Sequence, residues 1–318
     1  MGASRTPHTG AIPCASVKRL LVIAVLLVLV PTAGAAAVRS VIAPAPVLAL
    51  EHDAGFVAYA VGRSARDCNR VYVWNLATRG VSKLGRRTHC VQTSTGNAIA
   101  AISVAGRRVL WLHYAGGNRR SYTVWTATTT RPLPRLLASR EVDLDDPAPL
   151  VVGGGDDTAH GSFLPYANGR NVVVLNADGA RAFTWEASDR VVSLAAHRGE
   201  LAVASADRRV VVLGERGRLL RVEDYPTDVQ VVRLTGNAIA VQRGRTLELR
   251  GGRTANWTLP ARARLLDADG NRAVLVSGGR VRSIDLRTGA VRDVAPGSFA
   301  QLEGSRLSIG SGRVVSVR

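Results

Sequence analysis

Short apolar runs alternate with polar turns along most of the chain. From Val191 onward the runs are rich in Val, Leu and Ile, are 5–9 residues long, and are separated by turns that contain Gly, Asn or Asp. Runs of this length and composition are typical of β-strands, because helices need longer stretches with a 3.6-residue period. After residue 50 no segment has the pattern of an amphipathic helix. The pattern therefore predicts an all-β domain.

The turns return about every 35 residues, and three separate series share this period. The first turns are spaced 37, 34 and 34 residues apart, at Gly199, Gly236, Gly270 and Gly304. The second turns lie near Asp207, Gly244, Gly279 and Gly312, and the third at Gly217, Gly252 and Gly289. Glycine suits tight hairpin turns because they need a positive φ, which has no steric cost in a residue without a Cβ atom. A shared period in three series indicates a repeat fold.

Four strands per period form one blade of a β-propeller. A blade is apolar on both faces and cannot fold alone, so blades pack around an axis. We count seven cycles, with six as the alternative, at residues 45–87, 96–139, 147–187, 189–224, 226–259, 260–296 and 297–318. The last cycle has only three strands, and Val38–Ile42 is the candidate for its missing outer strand. Such pairing closes the ring and makes residues 38–318 a single domain.

Two segments resemble the repeats of known propeller families. Val71–Leu84 (VYVWNLATRGVSKL) resembles the third strand, turn and fourth strand of a WD40-like or TolB-like blade, with Asn75 where that family usually has Asp. Ser283–Val294 (SIDLRTGAVRDV) is similar, and it also resembles the repeats of quinoprotein-type propellers. The resemblance implies a binding scaffold more often than an enzyme, and it carries no catalytic residue over to this chain.

The first 37 residues have the pattern of an export signal. Arg5, Lys18 and Arg19 precede the unbroken apolar run Leu20–Val30, which the small residues TAGAAA follow after Pro31. A basic segment, an apolar segment and an A-x-A exit predict a helical signal peptide, with cleavage after Ala35 or Ala37. The alternative is an uncleaved membrane anchor, because 19 residues from Leu20 carry no charge. In both cases the propeller is expected outside the cytoplasm, secreted or in the cell envelope.

Only two cysteines follow this segment. An oxidising compartment favours a disulfide between Cys68 and Cys90. The strand pattern places Cys68 in a second-to-third strand loop and Cys90 in the link between blades one and two. In a propeller these two kinds of loop lie on the same face. Two free thiols are the alternative.

The chain has a formal net charge of +18, and 40 of its 42 basic residues are arginine. A positive field attracts anionic polymers or lipid head groups, and four arginine pairs are candidates for one patch: Arg86-Arg87, Arg107-Arg108, Arg119-Arg120 and Arg208-Arg209. Composition is the simpler explanation, because a chain rich in Ala, Arg, Gly and Val looks like the product of a GC-rich bacterial genome. Only 5% of the residues are aromatic, so the base-stacking surface of a nucleic-acid binder is not expected.

Acidic residues crowd two places. Glu141, Asp143, Asp145 and Asp146 are expected in the link into blade three, and Asp156, Asp157 and His160 in a Gly-rich first-turn loop. A hard cation needs several such oxygens, but the two groups are expected on opposite faces. Asp156, Asp157 and His160 remain candidate metal ligands, with a solvated polar loop as the alternative.

No sequence motif identifies a reaction. The chain has no G-x-S-x-G elbow, no phosphate-binding loop and no His pair at metal-ligand spacing. We therefore expect a monomeric binding module, without a cofactor, whose partner is a protein or an envelope polymer. The alternatives are a propeller hydrolase or lyase acting on an envelope polymer, and a sensor ectodomain held by an uncleaved leader. An enzyme predicts acidic or His side chains that converge at one mouth of the channel, whereas a binding module predicts an apolar or arginine-rich patch.

Overall fold

The computed structural model describes residues 38–62, 70–85, 96–158 and 161–318. Within these ranges the chain forms 29 strands and one short 3₁₀ turn, Glu215–Gly217. The predictions for the leader (residues 1–37), for Cys68, Cys90 and His160, and for Arg86-Arg87 lie outside the described residues. The described part contains no helix long and apolar enough to cross a membrane.

The strands form seven antiparallel sheets, which we number as blades in chain order. Blade 1 contains β2 Val47–Asp53, β3 Phe56–Val61, β4 Arg70–Asn75 and β5 Val81–Leu84. Blade 2 contains β6 Asn97–Ala105, β7 Arg108–Ala115, β8 Arg119–Thr128 and β9 Arg135–Asp143. Blade 3 contains β10 Leu150–Val152, β11 Asp156–Thr158, β12 Gly161–Asn168, β13 Asn171–Leu175 and β14 Arg181–Glu186. In blade 3, β10 and β11 both pair with β12 and together replace one continuous first strand.

The remaining four sheets repeat the same order. Blade 4 contains β15 Val191–His197, β16 Glu200–Ser205, β17 Arg209–Leu213 and β18 Leu219–Asp224. Blade 5 contains β19 Val231–Thr235, β20 Ala238–Arg243, β21 Thr246–Arg250 and β22 Ala255–Thr258. Blade 6 contains β23 Arg264–Asp269, β24 Arg272–Ser277, β25 Arg280–Asp285 and β26 Val291–Pro296. Blade 7 contains β27 Phe299–Glu303, β28 Arg306–Ser311, β29 Val314–Val317 and, paired with β29, β1 Arg39–Ile42.

The prediction of seven four-stranded sheets is confirmed, and the six-bladed alternative is wrong. The predicted first-turn glycines separate the first and second strands of blades 4 to 7; Gly236, for example, has a φ of 55° between β19 and β20. One placement was wrong. Glu141 and Asp143 belong to β9 and not to a link, because the ladder with β8 continues through the pairs Ser121–Glu141 and Arg119–Asp143.

The apolar core lies between the blades and not within them. The buried residues of the described chain form seven clusters, and each cluster joins two neighbouring blades. One of them packs Val315 and Val317 of blade 7 against Val57 and Tyr59 of blade 1. The first strands also contact one another in order around the ring, and β27 contacts β2. Every blade therefore buries both of its faces, and the ring is closed.

Candidate binding site in the central channel

The first strands surround a channel that contains two connected cavities. The strand-start cavity has a volume of about 320 Å³ and is lined by residues from all seven blades, where the first strands begin. The first-turn cavity has a volume of about 260 Å³, lies near the first turns, and is lined by residues of blade 1 and of blades 3 to 7. Glu51, Gly154, Arg233 and Gln301 line both cavities and form the boundary between them.

Four of the seven first strands have register shifts close to the strand-start cavity. Each of these strands, β2, β6, β15 and β23, has one extra residue relative to the strand it pairs with. A β-bulge of this kind bends the strand and changes the direction of a side chain. In three of these strands the extra residue, Ala100, Val192 or Leu266, lines the strand-start cavity. The bulges thus place small or apolar residues along its wall.

Blade 3 lines the channel with the backbone of three glycines, Gly153, Gly154 and Gly155. A Cβ atom on Gly155 would collide with the carbonyl of Val104 in blade 2, and one on Gly153 would collide with Leu194 in blade 4. The segment GGGDD is therefore part of the channel wall between two neighbours, and the interpretation as a solvated polar loop is wrong for its glycines. Only glycine fits at these two positions, because the backbone of blade 3 lies very close to both neighbouring blades.

Polar side chains cross the channel at the boundary between the cavities. Gln301 Nε2 donates a hydrogen bond to Glu51 Oε2 at 2.6 Å. Arg233 donates from Nε to the Leu266 carbonyl at 2.6 Å, and its Nε lies 3.9 Å from Asp267 Oδ1. Burial, reinforced by the charge of Asp267, raises the pKa of Glu51 well above its usual value. Burial also raises the pKa of Asp267, to about 6.

Carboxylates and histidines converge around the first-turn cavity, the arrangement that the enzyme alternative predicted. Most of these carboxylates accept a hydrogen bond from the first-turn glycine of the next blade. Gly106 N donates to Asp53 Oδ2 (2.9 Å), Gly199 N to Asp156 Oδ2 (2.9 Å), Gly304 N to Asp269 Oδ2 (2.7 Å) and Gly55 N to Glu303 Oε1 (3.1 Å). We call these the interblade hydrogen bonds. They show that the acidic mouth holds neighbouring blades together.

The environment shifts the pKa values of these groups in different directions. Burial raises the pKa of Asp53 to about 7, although it accepts backbone hydrogen bonds from Gly106 and Asp157. Burial alone would raise the pKa of Glu303 too, but His52, with Nε2 2.7 Å from Glu303 Oε2, holds it below its usual value. Burial lowers the pKa of His197, which lies 3.5 Å from Asp269. A neutral His197 is thus favoured near neutral pH.

The candidate metal ligands are engaged in other contacts. Asp156 accepts the interblade hydrogen bond from Gly199, and Asp157 accepts one from Ser162 Oγ at 2.7 Å. No three His, Cys, Asp or Glu side chains within the described ranges converge as a metal site. A site that includes His160 stays a prediction, because that residue is not described.

The three arginine pairs in the described part of the chain do not form one patch. Arg107-Arg108 follows the first turn of blade 2, whereas Arg119-Arg120 and Arg208-Arg209 lie at the second turns of blades 2 and 4, at the opposite ends of the strands. Arg108 instead binds blade 3, since its Nε donates to the Ala177 carbonyl at 2.8 Å and its Nη2 to the Asp178 carbonyl at 2.6 Å. Arg108 thus stabilises the interface between blades 2 and 3.

Blade 2 is larger than the other blades. Its four strands have 9, 8, 10 and 9 residues, while the outer strands of the other blades have 4–6. Among the described strands, the outer strand β9 pairs with β8 alone, and Leu136 on it is 46% exposed. Leu144, directly after β9, is 40% exposed and has the exposed acids Asp143, Asp145 and Asp146 as neighbours. We call residues 135–146 the blade 2 edge.

Sequence reasoning missed Glu51, Arg233, Arg264 and Gln301, which line the channel. A signal was present in three of them, because Glu51, Arg233 and Gln301 each stand two residues before the end of a first strand. Aligning the repeats on their first turns would have shown polar residues at this inward position. Arg264 has no such signal, since it is the first residue of β23.

Comparisons with known proteins support the fold. No family model and no curated protein matches the sequence. Among solved structures, a chain of the mitotic checkpoint complex aligns with a TM-score of 0.56 and 15% identity, over 88% of this chain and 90% of that one. Raptor from Chaetomium thermophilum aligns with a TM-score of 0.53 and 13% identity, over 87% of this chain but only 28% of that one. The fold is a seven-bladed β-propeller. Identities this low leave the function of the propeller to be argued from its own residues.

Proposed function

We propose that the propeller is an exported binding module that recognises a protein partner at the cell envelope or outside the cell. The WD40-like fold supports a role as a scaffold, and one similar structure is part of a multiprotein complex. The seven blades form a closed ring with a continuous interblade core, which gives surface residues a rigid support. An envelope polymer is the second class of partner.

The observation that carries this proposal is the blade 2 edge. A strand with one unpaired side presents free backbone groups, and a partner strand can add to it. β9 is the longest outer strand in the described chain, with an exposed apolar side chain at Leu136 and another at Leu144 directly after it. The acids around Leu144 contrast with the strongly basic chain as a whole. This combination favours a protein that supplies an edge strand, apolar side chains and basic residues.

The hydrolase or lyase alternative has weaker support. It would use the carboxylates and histidines of the first-turn cavity. Asp53, Asp156, Asp269 and Glu303 each already accept an interblade hydrogen bond. A carboxylate that holds a neighbouring backbone N–H has less freedom to act as a general acid or base.

Two matched variants test the proposed surface. Leu136→Asp places a charge on the blade 2 edge, and Leu219→Asp does the same on β18 of blade 4, where Leu219 is 56% exposed. In affinity purification of the full-length chain from its own cells, the same partner is expected with the wild type and with Leu219→Asp. Leu136→Asp is expected to reduce its recovery about ten-fold, which corresponds to about 1.4 kcal/mol. Equal recovery with both variants, at equal melting temperatures, contradicts a role for this edge.

Export needs a separate test. N-terminal sequencing of the protein from its own cells is expected to find a mature chain that starts after Ala35 or Ala37 in the extracytoplasmic fraction. A chain that retains Leu20–Val30 in the membrane fraction would support the sensor ectodomain, and a cytoplasmic chain would contradict export.

A further inference from the structure

Among the described residues that line the strand-start cavity, Arg264 is a cation without a partner. Arg264 lines the strand-start cavity at the beginning of β23, and its side chain makes no hydrogen bond or ion pair with any described residue. Arg264 remains exposed to solvent, although partial burial, and then the positive charge of Arg233, lower its pKa. A guanidinium that lies close to a second guanidinium and has no counter-ion is electrostatically unfavourable. This environment favours the binding of an anion.

The other charges of the cavity are already balanced. Arg233 interacts with Asp267, and two of its nitrogens donate to the Leu266 and Val232 carbonyls. Glu51 is bound by Gln301, and burial favours its neutral form. Because these groups compensate one another, the uncompensated charge belongs to Arg264.

The wall around Arg264 combines apolar side chains with exposed polar atoms. Side chains that are open to the cavity include Ala100, Val151, Val192, Val231 and Phe299. The volume of about 320 Å³ lies at the lower end of the range of about 300–1,000 Å³ for small-molecule sites. Such sites combine apolar walls with a few polar groups that orient the ligand.

We propose that the strand-start cavity binds a small organic carboxylate, whose carboxylate group pairs with Arg264 beside Arg233 and whose apolar part contacts Val192, Val231 and Phe299. A guanidinium binds a carboxylate through two parallel N–H···O bonds, which gives orientation as well as affinity. The site is independent of the proposed protein-binding surface, because it lies in the channel and not on the blade 2 edge.

The test uses hexanoate as the probe and isothermal titration calorimetry on the purified propeller. Hexanoate is expected to bind at a 1:1 ratio, and Arg264→Gln is expected to weaken it about ten-fold or more, since charge-assisted pairs are the strong ones. Arg264→Lys, which keeps the charge but not the planar fork, is expected to recover part of this loss. The matched control is Arg292→Gln, which removes the same charge from the exposed outer strand of the same blade and is expected to change binding less than about two-fold.

Two further ligands decide whether both parts of the site contribute. Hexan-1-ol, which lacks the charge, and inorganic phosphate, which lacks the apolar part, are each expected to bind about ten-fold more weakly than hexanoate. Ala100→Phe, which places a ring in the open cavity, is expected to weaken hexanoate without lowering the melting temperature. The proposal is wrong if hexanoate does not bind, if Arg264→Gln and Arg292→Gln behave alike, or if phosphate binds as tightly as hexanoate.

Discussion

At the scale of single residues, the channel carboxylates stabilise the structure through hydrogen bonds, but burying their charge costs free energy. Asp53 is buried, yet its two oxygens accept the backbone N–H groups of Gly106 and Asp157. The hydrogen bonds favour an ionised carboxylate, whereas burial disfavours it, and burial has the larger effect on the pKa. The folded protein therefore binds a proton at Asp53 more strongly than the unfolded chain does.

This difference predicts a dependence of stability on pH. Because the pKa of Asp53 is about 7 in the folded state and about 3.9 in unfolded chains, its contribution to the free energy of unfolding falls as the pH rises through this window. Between pH 5 and pH 8 the loss is about 2–3 kcal/mol by proton linkage. We expect urea unfolding of the wild type to show a larger loss over this range than unfolding of Asp53→Asn. Parallel pH profiles for the two proteins would contradict the assignment.

Residues at this scale were also the hardest to predict. Asp156 and Asp157 were singled out because adjacent acids after three glycines are conspicuous in a sequence. Their partners, Gly199 and Ser162, depend on how blade 3 packs and on a hairpin within it, so the spacing of the acids contains no information about them. Arg264 was missed because nothing local distinguishes it from the other arginines.

At the scale of elements, the split first strand of blade 3 is the main departure from the repeat. Six blades have one continuous first strand, whereas β10 and β11 are separated by Gly153, Gly154 and Gly155. The sequence period predicted where the turns lie, because turn glycines depend on local φ. It did not predict this interruption, which depends on the close approach of Val104 and Leu194 from the two neighbouring blades.

Two alanine variants test the role of these glycines. A Cβ atom at Gly155 meets the backbone of Val104, which cannot move independently, so Gly155→Ala is expected to lower the free energy of unfolding by more than about 2 kcal/mol. A Cβ atom at Gly154 meets only the end of the Glu51 side chain, at 2.9 Å. Gly154→Ala is therefore expected to cost less than about 1 kcal/mol. Denaturant unfolding measures both, and equal losses would exclude close packing as the reason for the glycines.

At the scale of the whole molecule, stability depends on closing the ring. β1 pairs with β29 from Arg39–Val317 to Ile42–Val314, and residues of blades 7 and 1 share one apolar cluster. Such long-range pairing was expected from the sequence, because the last cycle lacked a strand. The individual contacts that join the two blades were not expected from the sequence. The hydrogen bonds Gln301–Glu51 and Ser308–His52 link residues that are 250 and 256 positions apart.

Proline in β1 tests the contribution of this pairing. Ala43 N donates to the Arg313 carbonyl, so the antiparallel pattern places the Val41 N–H toward β29. Val41→Pro removes this donor and is expected to lower the melting temperature by about 5 °C or more. Val41→Ala keeps the donor and removes only part of a half-buried side chain, so a smaller shift is expected. Equal shifts for the two variants would show that the pairing adds nothing beyond side-chain packing.

The pairing of residues 39–42 with residues 314–317 also has a consequence for biosynthesis. During translation β29, the partner of β1, emerges from the ribosome only after six complete blades. Until then one face of blade 1 has no neighbouring blade to pack against. A chain that carries an export signal would thereby remain short of its final fold while a translocation channel, which threads extended polypeptides, still has access to it. Under the proposal that the protein is exported, late closure of the ring would let translocation begin before folding is complete.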